Sequence, residues 1–320
     1  MEIADRVVAI SGAGGFIGRR VSALARRRGA RVKGIDLDEA ALRRAEADGV
    51  EARGGDVTDP AAAAWLAQGA DVVVHTAAVV KEAGPMALFE RVNVGGTRAI
   101  AEAAQAAGVE RLVHLSSVMV YGFDFPDGVT EDGPFPTRET NPYVVTKLRS
   151  EGAAMASHGA MGVTIIRPGD VYGRGSVPWV DRPLGLMRRG LMILPDGGRG
   201  VLNHVHVDDL ARAILDAVAR DVVGGPINVC DGVRTTCAAY FGALAEAAGL
   251  PRPRTAPLAA LRPLFATLEA AADALGREPP ARVDALRYLL RPGVYSNARA
   301  REQLDWRPTV ALADGLRASV

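Results

Sequence analysis

The sequence predicts an α/β fold with a doubly wound parallel sheet and a smaller, mostly helical C-terminal domain. Three observations lead to this prediction. Short apolar runs alternate with stretches of helical periodicity, a glycine-rich turn joins the first run to the first helix, and polar residues follow the ends of several runs. The 320 residues suffice for one large domain with a smaller one appended.

The first unit is a strand over residues 7–10, a glycine-rich turn, a helix, and a second strand over residues 31–35. Gly12 can take backbone angles closed to other residues. Gly15 leaves room for a phosphate to approach the main chain, and Gly18 lets the helix lie close to the strand. The amides and positive dipole end of the helix then face an anion. The unit therefore predicts dinucleotide binding rather than a merely structural turn.

Asp36 ends the second predicted strand, and its carboxylate indicates which dinucleotide is bound. An acid there accepts hydrogen bonds from both adenosine ribose hydroxyls, whereas a 2′-phosphate would meet a like charge. We therefore predict NAD as the cofactor in preference to NADP. Two alternatives stay open: Asp36 caps the helix that contains Asp38 and Glu39, or Arg43 and Arg44 fold back and allow the extra phosphate.

Composition and charge argue against several classes of protein. Hydrophobic content of 48% and charged content of 23% are ordinary for a soluble globular protein, and a net charge of +1 gives no electrostatic reason to expect binding to nucleic acid or a membrane surface. The N-terminus lacks the pattern of a signal peptide, and no apolar run is long enough to span a bilayer. Cys230 and Cys237 form no metal or disulfide spacing, so we predict packing roles, no metal site and a cytoplasmic location.

Further strands and helices alternate along the chain. A third strand over 50–53 leads to a helix starting at Pro60, and a fourth, over 71–75, carries three consecutive valines. Such a run is typical of a parallel strand covered on both faces. A long helix over 85–107 contains Asn93, whose polar side chain is predicted to point inward and hold a neighbouring loop or water.

Small and polar residues end the fourth and fifth strands, at the edge of the sheet where ligands bind in such folds. The fourth ends in the run 75–78, in which His75 is predicted to be packed or hydrogen-bonded rather than catalytic. The fifth, within 111–117, ends in two serines. The loop over 122–136 is longer than a plain connector, so we predict an active-site loop.

Asparagine and proline at 141–142 mark the start of a helix in which Tyr143 and Lys147 lie four residues apart. That spacing brings an ammonium close to a phenol, and a nearby positive charge stabilises the phenolate. A tyrosine with an ordinary pKa of about 10 is a poor acid or base at neutral pH, but one beside a lysine becomes usable. The pair alone is common on helix surfaces.

With the glycine turn, Asp36, the two serines and the Tyr-Lys pair in this order, the chain resembles the extended short-chain dehydrogenase/reductase family. That family includes the NAD-dependent epimerases and dehydratases. The resemblance covers nearly the whole chain, and the motifs together are far more specific than any one of them. The matching segments are 11–18, Asp36, 56–57, 75–78, 93–94, 116–122, 143–147, 167–168, 171–173, 206–209 and 305–308.

The resemblance implies a site that interconverts a secondary alcohol and a ketone by hydride transfer. Tyr143 would be the catalytic acid/base, Lys147 would lower its pKa and hold the nicotinamide ribose, and Ser117 would hydrogen-bond the reacting oxygen. Asp56 and Val57 would meet the adenine. The implied cofactor-binding residues are Gly12, Gly15, Phe16, Ile17, Gly18, Asp36, Asp56, Val57, Ala77, Ala78, Lys147 and Pro168.

The resemblance also implies a Rossmann-type NAD-binding domain and a substrate domain built from separate segments. The first would comprise residues 1–168 and about 203–230, and the second about 169–202 and 231–320. The elements expected to complete the first are a strand over 163–167, a helix over 207–219 and a strand over 227–229. A homodimer acting on a small molecule is expected.

Substrate class is predicted from two positions that meet the diphosphate in nucleotide-sugar members. Nucleotide-sugar members usually have Asn at the position of Asp170, and an aspartate there would repel the diphosphate. They usually have Arg at the position of Leu202, and leucine offers no hydrogen-bond donor. The largely apolar stretches 258–275, 277–280 and 283–290 look more like the branch of 3β-hydroxysteroid dehydrogenases and dihydroflavonol reductases. An apolar or modest-sized alcohol or ketone is therefore favoured, unless these helices merely cover the core or an oligomer interface.

Two other functions stay open. One is a nucleotide-sugar epimerase or dehydratase, in which tightly bound NAD cycles and no net redox occurs. The other is a non-catalytic NAD-sensing or scaffold protein, which the presence of Ser117, Tyr143 and Lys147 disfavours.

Overall fold

A seven-stranded parallel sheet organises the fold. We describe it from a computed structural model, in which residues 1–81, 83–276 and 282–320 are described. The strands are β1 (Val7–Ser11), β2 (Arg31–Asp36), β3 (Glu51–Gly54), β4 (Val72–His75), β5 (Arg111–Leu115), β6 (Gly162–Pro168), β7 (Asp170–Tyr172), β8 (Ile193–Pro195), β9 (Val201–Leu202), β10 (His204–His206), β11 (Gly225–Val229), β12 (Thr235–Thr236) and β13 (Arg254–Ala256).

The order of strands in the large sheet is β3, β2, β1, β4, β5, β6 and β11, and every neighbouring pair is parallel. The order reverses between β1 and β4, which is the switch point of a doubly wound sheet. The predicted fold class is thus confirmed. At the switch point Ser11 pairs with Ile35 on one side and with His75 on the other.

Helices connect the strands and cover both faces of the sheet. They are α1 (Phe16–Arg27), α2 (Glu39–Ala47), α3 (Pro60–Ala67), α4 (Met86–Phe89), α5 (Thr97–Ala106), α6 (Pro142–Met155), α7 (Arg182–Arg188), α8 (Val207–Ala219), α9 (Cys237–Ala247), α10 (Leu258–Ala274), α11 (Val283–Tyr288), α12 (Ala298–Leu304) and α13 (Leu312–Arg317). The helix predicted over 85–107 contains a π-helical stretch, Glu90–Gly96, between α4 and α5. The predicted segment 277–280 lies outside the described residues.

The core lies on both sides of the sheet. Val72 and Val74 of β4 pack in the cluster under α1 and α8, and Val73 packs with Leu66 and Ile100 on the opposite face. This division explains the run of three valines, because a strand covered on both faces needs apolar residues at successive positions. Among the described residues, no helix is both long and apolar enough to cross a membrane.

The segments assigned to the second domain contain short strand pairs as well as helices. These pairs are β7 with β10, β9 with β12, and β8 with β13, and the sequence pattern did not predict them. Within 231–320, Ala300, Leu304 and Trp306 pack in the core beside the large sheet. The division into two domains stays a proposal, with its C-terminal boundary less simple than the sequence suggests.

Candidate active site

The glycine turn, residues 11–18, lies at the carboxyl end of β1. Gly12 has a φ of 72°, which favours glycine. A Cβ on Gly18 would lie 2.1 Å from the carbonyl oxygen of Gly12, so a side chain there would push α1 away from the turn. No described side chain caps the start of α1 at Gly15. Its amides and positive dipole end are therefore available to an anion.

Asp36, at the end of β2, is attached to this turn. Its Oδ2 accepts a hydrogen bond from the Gly14 amide (3.1 Å), and its Oδ1 accepts one from the Asp38 amide (3.2 Å). The cap of α2 is Asp38, which accepts from the Ala41 amide at 2.6 Å. The alternative that Asp36 caps this helix is therefore wrong, and its carboxylate belongs to the glycine turn.

Other predicted cofactor residues lie at the same edge of the sheet. Phe16 and Ile17 open α1, Ala77 and Ala78 follow β4, and Pro168 ends β6. The ends of β1 and β4 touch, because a Cβ on Gly12 would lie 3.2 Å from the backbone nitrogen of Ala77. These residues therefore lie at the carboxyl ends of β1, β4 and β6, which are on one edge of the sheet.

The residues predicted at the adenine, Asp56 and Val57, are engaged within the chain. Val57 is almost fully buried, next to Gly96. Asp56 accepts 2.9 Å hydrogen bonds from the amide and hydroxyl of Thr58, and a weaker one from Arg91. Burial raises the pKa of Asp56, but these bonds together hold it below its ordinary value.

His75 is buried and hydrogen-bonded. Its Nδ1 lies 2.6 Å from the Ser11 hydroxyl, and its Nε2 lies 3.0 Å from the Thr97 hydroxyl. Burial, aided by the charge of Lys147, lowers the pKa of His75 to about 3. This agrees with the packed interpretation of His75.

Asn93 faces inward from the π-helical stretch and holds the loop after β4. Its Oδ1 accepts from the Val79 amide (2.8 Å), and its Nδ2 donates to the Val79 carbonyl (3.2 Å) and to the Thr146 hydroxyl (3.1 Å). Thr146 belongs to α6, so Asn93 ties that loop to the helix that carries Tyr143.

The structure places the side chains of Ser117 and Tyr143 close to each other, so that the Ser117 hydroxyl acts to lower the pKa of the Tyr143 phenol. Ser117 caps the 3₁₀ turn Val118–Tyr121 by accepting from the Met119 amide at 3.1 Å. Asn141 caps α6 by accepting from the Tyr143 amide at 3.1 Å. Two helix caps therefore position the two hydroxyls. Burial raises the pKa of Tyr143 to about 12, opposed by the Ser117 hydroxyl and aided by the charge of Asp170.

Lys147 lies one turn along α6 from Tyr143, but its ammonium donates to the carbonyl of Leu115 at 2.6 Å. The sequence predicts that Lys147 lowers the pKa of Tyr143. That expectation does not hold in this structure, because burial of the phenol outweighs the stabilising contacts. Burial also lowers the pKa of Lys147 to about 8, against the charge of Glu151. Both side chains are therefore largely protonated at neutral pH.

Two buried ion pairs beside the site were not predicted from the sequence. Glu151 pairs with Arg167 at 2.7 Å, and Asp170 pairs with Arg291, which is fully buried. Glu151 had a signal, since it follows Lys147 by four residues. Asp170 and Arg291 had none, because 121 residues separate them.

These contacts correct the predicted obstacles to a diphosphate. Asp170 is paired with Arg291 and also accepts from the Asn203 amide at 2.8 Å, so it is not the free repelling charge that the sequence suggests. Leu202 is fully buried in the apolar core of the C-terminal segments. The prediction that Asp170 repels a diphosphate is therefore wrong, whereas Leu202 still offers no hydrogen-bond donor to one.

Apolar and aromatic side chains surround Tyr143. Met119, Phe123 and Val144 form a buried cluster against which Tyr143 and Tyr288 pack. The rings of Phe123 and Tyr288 meet edge to face with centroids 4.9 Å apart. Tyr288 ends α11, so one of the predicted apolar helices reaches the neighbourhood of the phenol.

Comparisons with known proteins agree with this arrangement. Residues 8–230 match the model of the NAD dependent epimerase/dehydratase family. The chain is 28% identical over 316 residues to a 4-hydroxy-2-methyl-3-oxo-4-farnesyl-3,4-dihydroquinoline-1-oxide ketoreductase of Stigmatella aurantiaca, covering 97% of this chain and 94% of that protein. It is 31% identical over 334 residues to a UDP-glucose 4-epimerase of Mycolicibacterium smegmatis, covering 97% and 96%.

The same likeness is present among solved structures. MoeE5 in complex with UDP-glucose and NAD superposes with a TM-score of 0.76 at 26% identity, covering 98% of this chain and 97% of that one. The glycine turn, the uncapped start of α1 and the placement of Asp36 fit a bound dinucleotide. The chain therefore belongs to the NAD-dependent epimerase/dehydratase family and is an NAD-dependent enzyme of the extended short-chain dehydrogenase/reductase type.

Proposed function

We propose that this enzyme interconverts a secondary alcohol and a ketone, using Ser117, Tyr143 and Lys147. The observation that carries the proposal is the proximity of Ser117, which follows β5, to Tyr143 at the start of α6, with Lys147 one helical turn away. Two hydroxyls that meet in this way can both contact one substrate oxygen. NAD, when bound, supplies the acceptor or donor of the hydride.

In the direction of reduction, Tyr143 donates its proton to the substrate oxygen while Ser117 hydrogen-bonds the same atom. The raised pKa of Tyr143 suits this direction, because the phenol holds its proton at neutral pH. In oxidation the proton passes from the alcohol to the phenolate. Lys147, one helical turn from Tyr143, is proposed to hold the nicotinamide ribose beside this phenol.

The proposed cofactor contacts lie along the edge of the sheet at the switch point. The glycine turn faces the pyrophosphate, and Asp36 accepts hydrogen bonds from the adenosine ribose. Ala77, Ala78 and Pro168 line the remainder. Asp56 and Val57 are proposed to contact the adenine from positions that their own packing holds in place.

We favour an apolar or modest-sized alcohol or ketone as the substrate. Support comes from the cluster of Met119, Phe123, Val144 and Tyr288 around Tyr143, which presents apolar surface beside the reacting hydroxyl. The carboxylate of Asp170, whose charge acts on Tyr143, is already paired with Arg291.

The second candidate is a nucleotide-sugar epimerase or dehydratase. It is favoured by the similarity along nearly the whole chain to a UDP-glucose 4-epimerase and to MoeE5, whose structure contains UDP-glucose. Its chemistry uses the same Tyr-Lys pair, but NAD returns to its starting state after each turnover.

One experiment distinguishes the candidates. The purified protein is incubated with NAD and panels of secondary alcohols or of UDP- and dTDP-sugars, while NADH absorbance and sugar products are followed. Net NADH formation with an alcohol supports the first proposal. Conversion of a sugar without net NADH supports the second, and no turnover on either panel favours an NAD-sensing protein.

A homodimer and a cytoplasmic location complete the proposal. Sedimentation velocity of the NAD-bound protein tests the dimer, since a monomer at working concentration would contradict it.

A further inference from the structure

A buried carboxylate lies on the face of α6 that carries Tyr143 and Lys147. Glu151 follows Lys147 by four residues, just as Lys147 follows Tyr143, and this spacing places side chains on one face of a helix. Glu151 is only 8% exposed. A carboxylate out of water needs charged or hydrogen-bonding partners, and those of Glu151 come from neighbouring strands.

The Glu151 carboxylate joins α6 to the ends of β5 and β6. Its Oε1 accepts from the Ser116 hydroxyl (2.5 Å) and from Arg167 Nε (2.8 Å), and its Oε2 accepts from Arg167 Nη2 (2.7 Å). Arg167 is 2% exposed, so this is a bidentate ion pair shielded from water. Because Ser116 precedes Ser117, the same carboxylate anchors the strand end that positions Ser117.

Arg167 extends the contact to the loop over 122–136. Its Nη1 donates to the Tyr121 hydroxyl (2.7 Å) and to the carbonyl of Glu131 (2.9 Å). The Tyr121 hydroxyl donates in turn to Asn228 Oδ1 at 2.8 Å. Ser116 and Arg167, on neighbouring strands, therefore fix the position of the Glu151 carboxylate.

The other groups around Lys147 do not balance its charge. Burial and the charge of Lys147 lower the pKa of His75 on β4 to about 3 and that of His114 on β5 well below its ordinary value, so both imidazoles are neutral. Tyr143 is neutral too, because its pKa is raised to about 12. Burial lowers the pKa of Lys147 to about 8, and the charge of Glu151 opposes this change.

We propose that Glu151 is a positioning residue of the active site, whose negative charge keeps the side chain of Lys147 protonated at neutral pH. The inference rests on the proposed function for what Lys147 does in catalysis, but the charge interaction itself does not depend on it. Glu151 would act on turnover through Lys147 and would not touch the substrate.

Titration of Lys147 by NMR tests the proposal directly. The chain has three lysines, Lys33, Lys81 and Lys147, so protein labelled with carbon-13 lysine gives few side-chain signals, and Lys147→Met identifies the relevant one. In Glu151→Gln we expect the titration midpoint of Lys147 to move to lower pH by about one pH unit, because removal of a nearby negative charge favours the neutral amine. The midpoint of Lys81 should not move.

Glu90→Gln is the matched control. It makes the same substitution in the partner of Arg149 on the outer face of α6, and the Lys147 midpoint should stay where it is in the unmodified protein. Glu151→Asp keeps the negative charge, so the titration midpoint of Lys147 should stay close to its value in the unmodified protein. If Glu151→Gln does not fold, the double variant Glu151→Gln with Arg167→Met removes both buried charges and should show a smaller downward move, because loss of the Arg167 charge acts in the opposite direction.

Equal Lys147 midpoints in the Glu90→Gln control and in a folded variant that lacks the Glu151 carboxylate would overturn the proposal. This outcome is distinct from failure of the proposed function. A Tyr143→Phe variant with normal turnover would overturn the Ser-Tyr-Lys mechanism and leave the titration of Lys147 unchanged.

Discussion

At the phenol of Tyr143, burial and the nearby Ser117 hydroxyl act in opposite directions. Burial raises its pKa to about 12, and the Ser117 hydroxyl acts to lower it. A phenol with a raised pKa keeps its proton below that value and loses it as the pH rises. We therefore expect reduction to use the protonated Tyr143 phenol that is present at neutral pH. Oxidation needs the phenolate, so its rate should increase with pH.

Tyr143→Phe should reduce turnover by roughly 10²- to 10⁴-fold, the usual contribution of a positioned acid/base. The substitution removes the proton-donating hydroxyl and keeps the ring that packs on Phe123 and Val144. NAD affinity, measured by fluorescence titration, should be nearly unchanged. If the variant kept more than half of normal activity on a true substrate, another group would have to carry the proton.

Asp36→Ala should narrow the preference for NAD over NADP, because the carboxylate that repels a 2′-phosphate is removed. Arg43 pairs with Glu39 on the surface at 3.6 Å and is not folded back toward Asp36. We therefore expect repulsion by Asp36 to be the main cause of the preference for NAD. The two dissociation constants are compared by titration. Asp38→Ala is the control, since it removes the neighbouring helix cap without touching the proposed ribose contact. Equal affinities for both cofactors in the unmodified protein would contradict the assignment.

At the scale of elements, the start of α8 connects the sheet to the C-terminal segment. Asp209 is 1% exposed and accepts hydrogen bonds from the amides of Thr309 and Val310, both at 3.0 Å, and from the Thr309 hydroxyl at 2.6 Å. The Trp306 indole donates to the carbonyl of Asp209 at 2.9 Å. One buried carboxylate thus holds the chain after α12 against the core.

Asp209→Ala should lower the free energy of unfolding by roughly 1.5–3 kcal/mol, because it removes the buried carboxylate that accepts the hydrogen bonds of Thr309 and Val310. Urea unfolding measures this change, provided that the m-value, the slope of the unfolding free energy against urea concentration, is the same in the variant and the unmodified protein. Asp208→Ala is the adjacent control. Asp208 pairs with Arg20 near the surface, where such a pair contributes about 1 kcal/mol or less. Similar losses in the two variants would show that Asp209 is not the anchor.

At the scale of the whole molecule, segments that are far apart in the sequence lie next to each other around Tyr143. The Asp170–Arg291 pair joins β7 to the chain after α11, and Tyr288 brings α11 to the cluster around Tyr143. α10 contributes less, since it leaves Leu264 and Leu268 on the surface. The predicted apolar helices therefore divide into one that reaches the site and one that is largely exposed.

UDP-glucose should not raise the melting temperature of the NAD-bound enzyme. Arg291 is fully buried and its charge is satisfied by Asp170, so a diphosphate would have to break a buried pair before binding there. A ligand with a Kd of about 1 μM would stabilise the protein by about 2.7 kcal/mol at 100 times Kd, which a thermal scan detects. A clear shift with UDP-glucose would favour the nucleotide-sugar epimerase over the alcohol dehydrogenase.

The sequence by itself determined the sheet, the glycine turn and the residues that meet at its edge. Strand periodicity, helix caps and the spacing of Gly12, Gly15 and Gly18 are local patterns, and they express backbone preferences that act over a few residues. The two serines after β5 were expected at this edge because ligands bind at the ends of parallel strands, whereas the roles proposed for Ser117 and Tyr143 come from the family resemblance.

The charges at the site were decided only by the tertiary structure. Asp170 meets Arg291 across 121 residues, and Asp209 meets Thr309 across 100. The ammonium of Lys147 donates a hydrogen bond to the carbonyl of Leu115, which the spacing of Tyr143 and Lys147 did not predict. A pKa depends on burial and on charges brought near by the fold, and neither can be read from the spacing of residues along the chain.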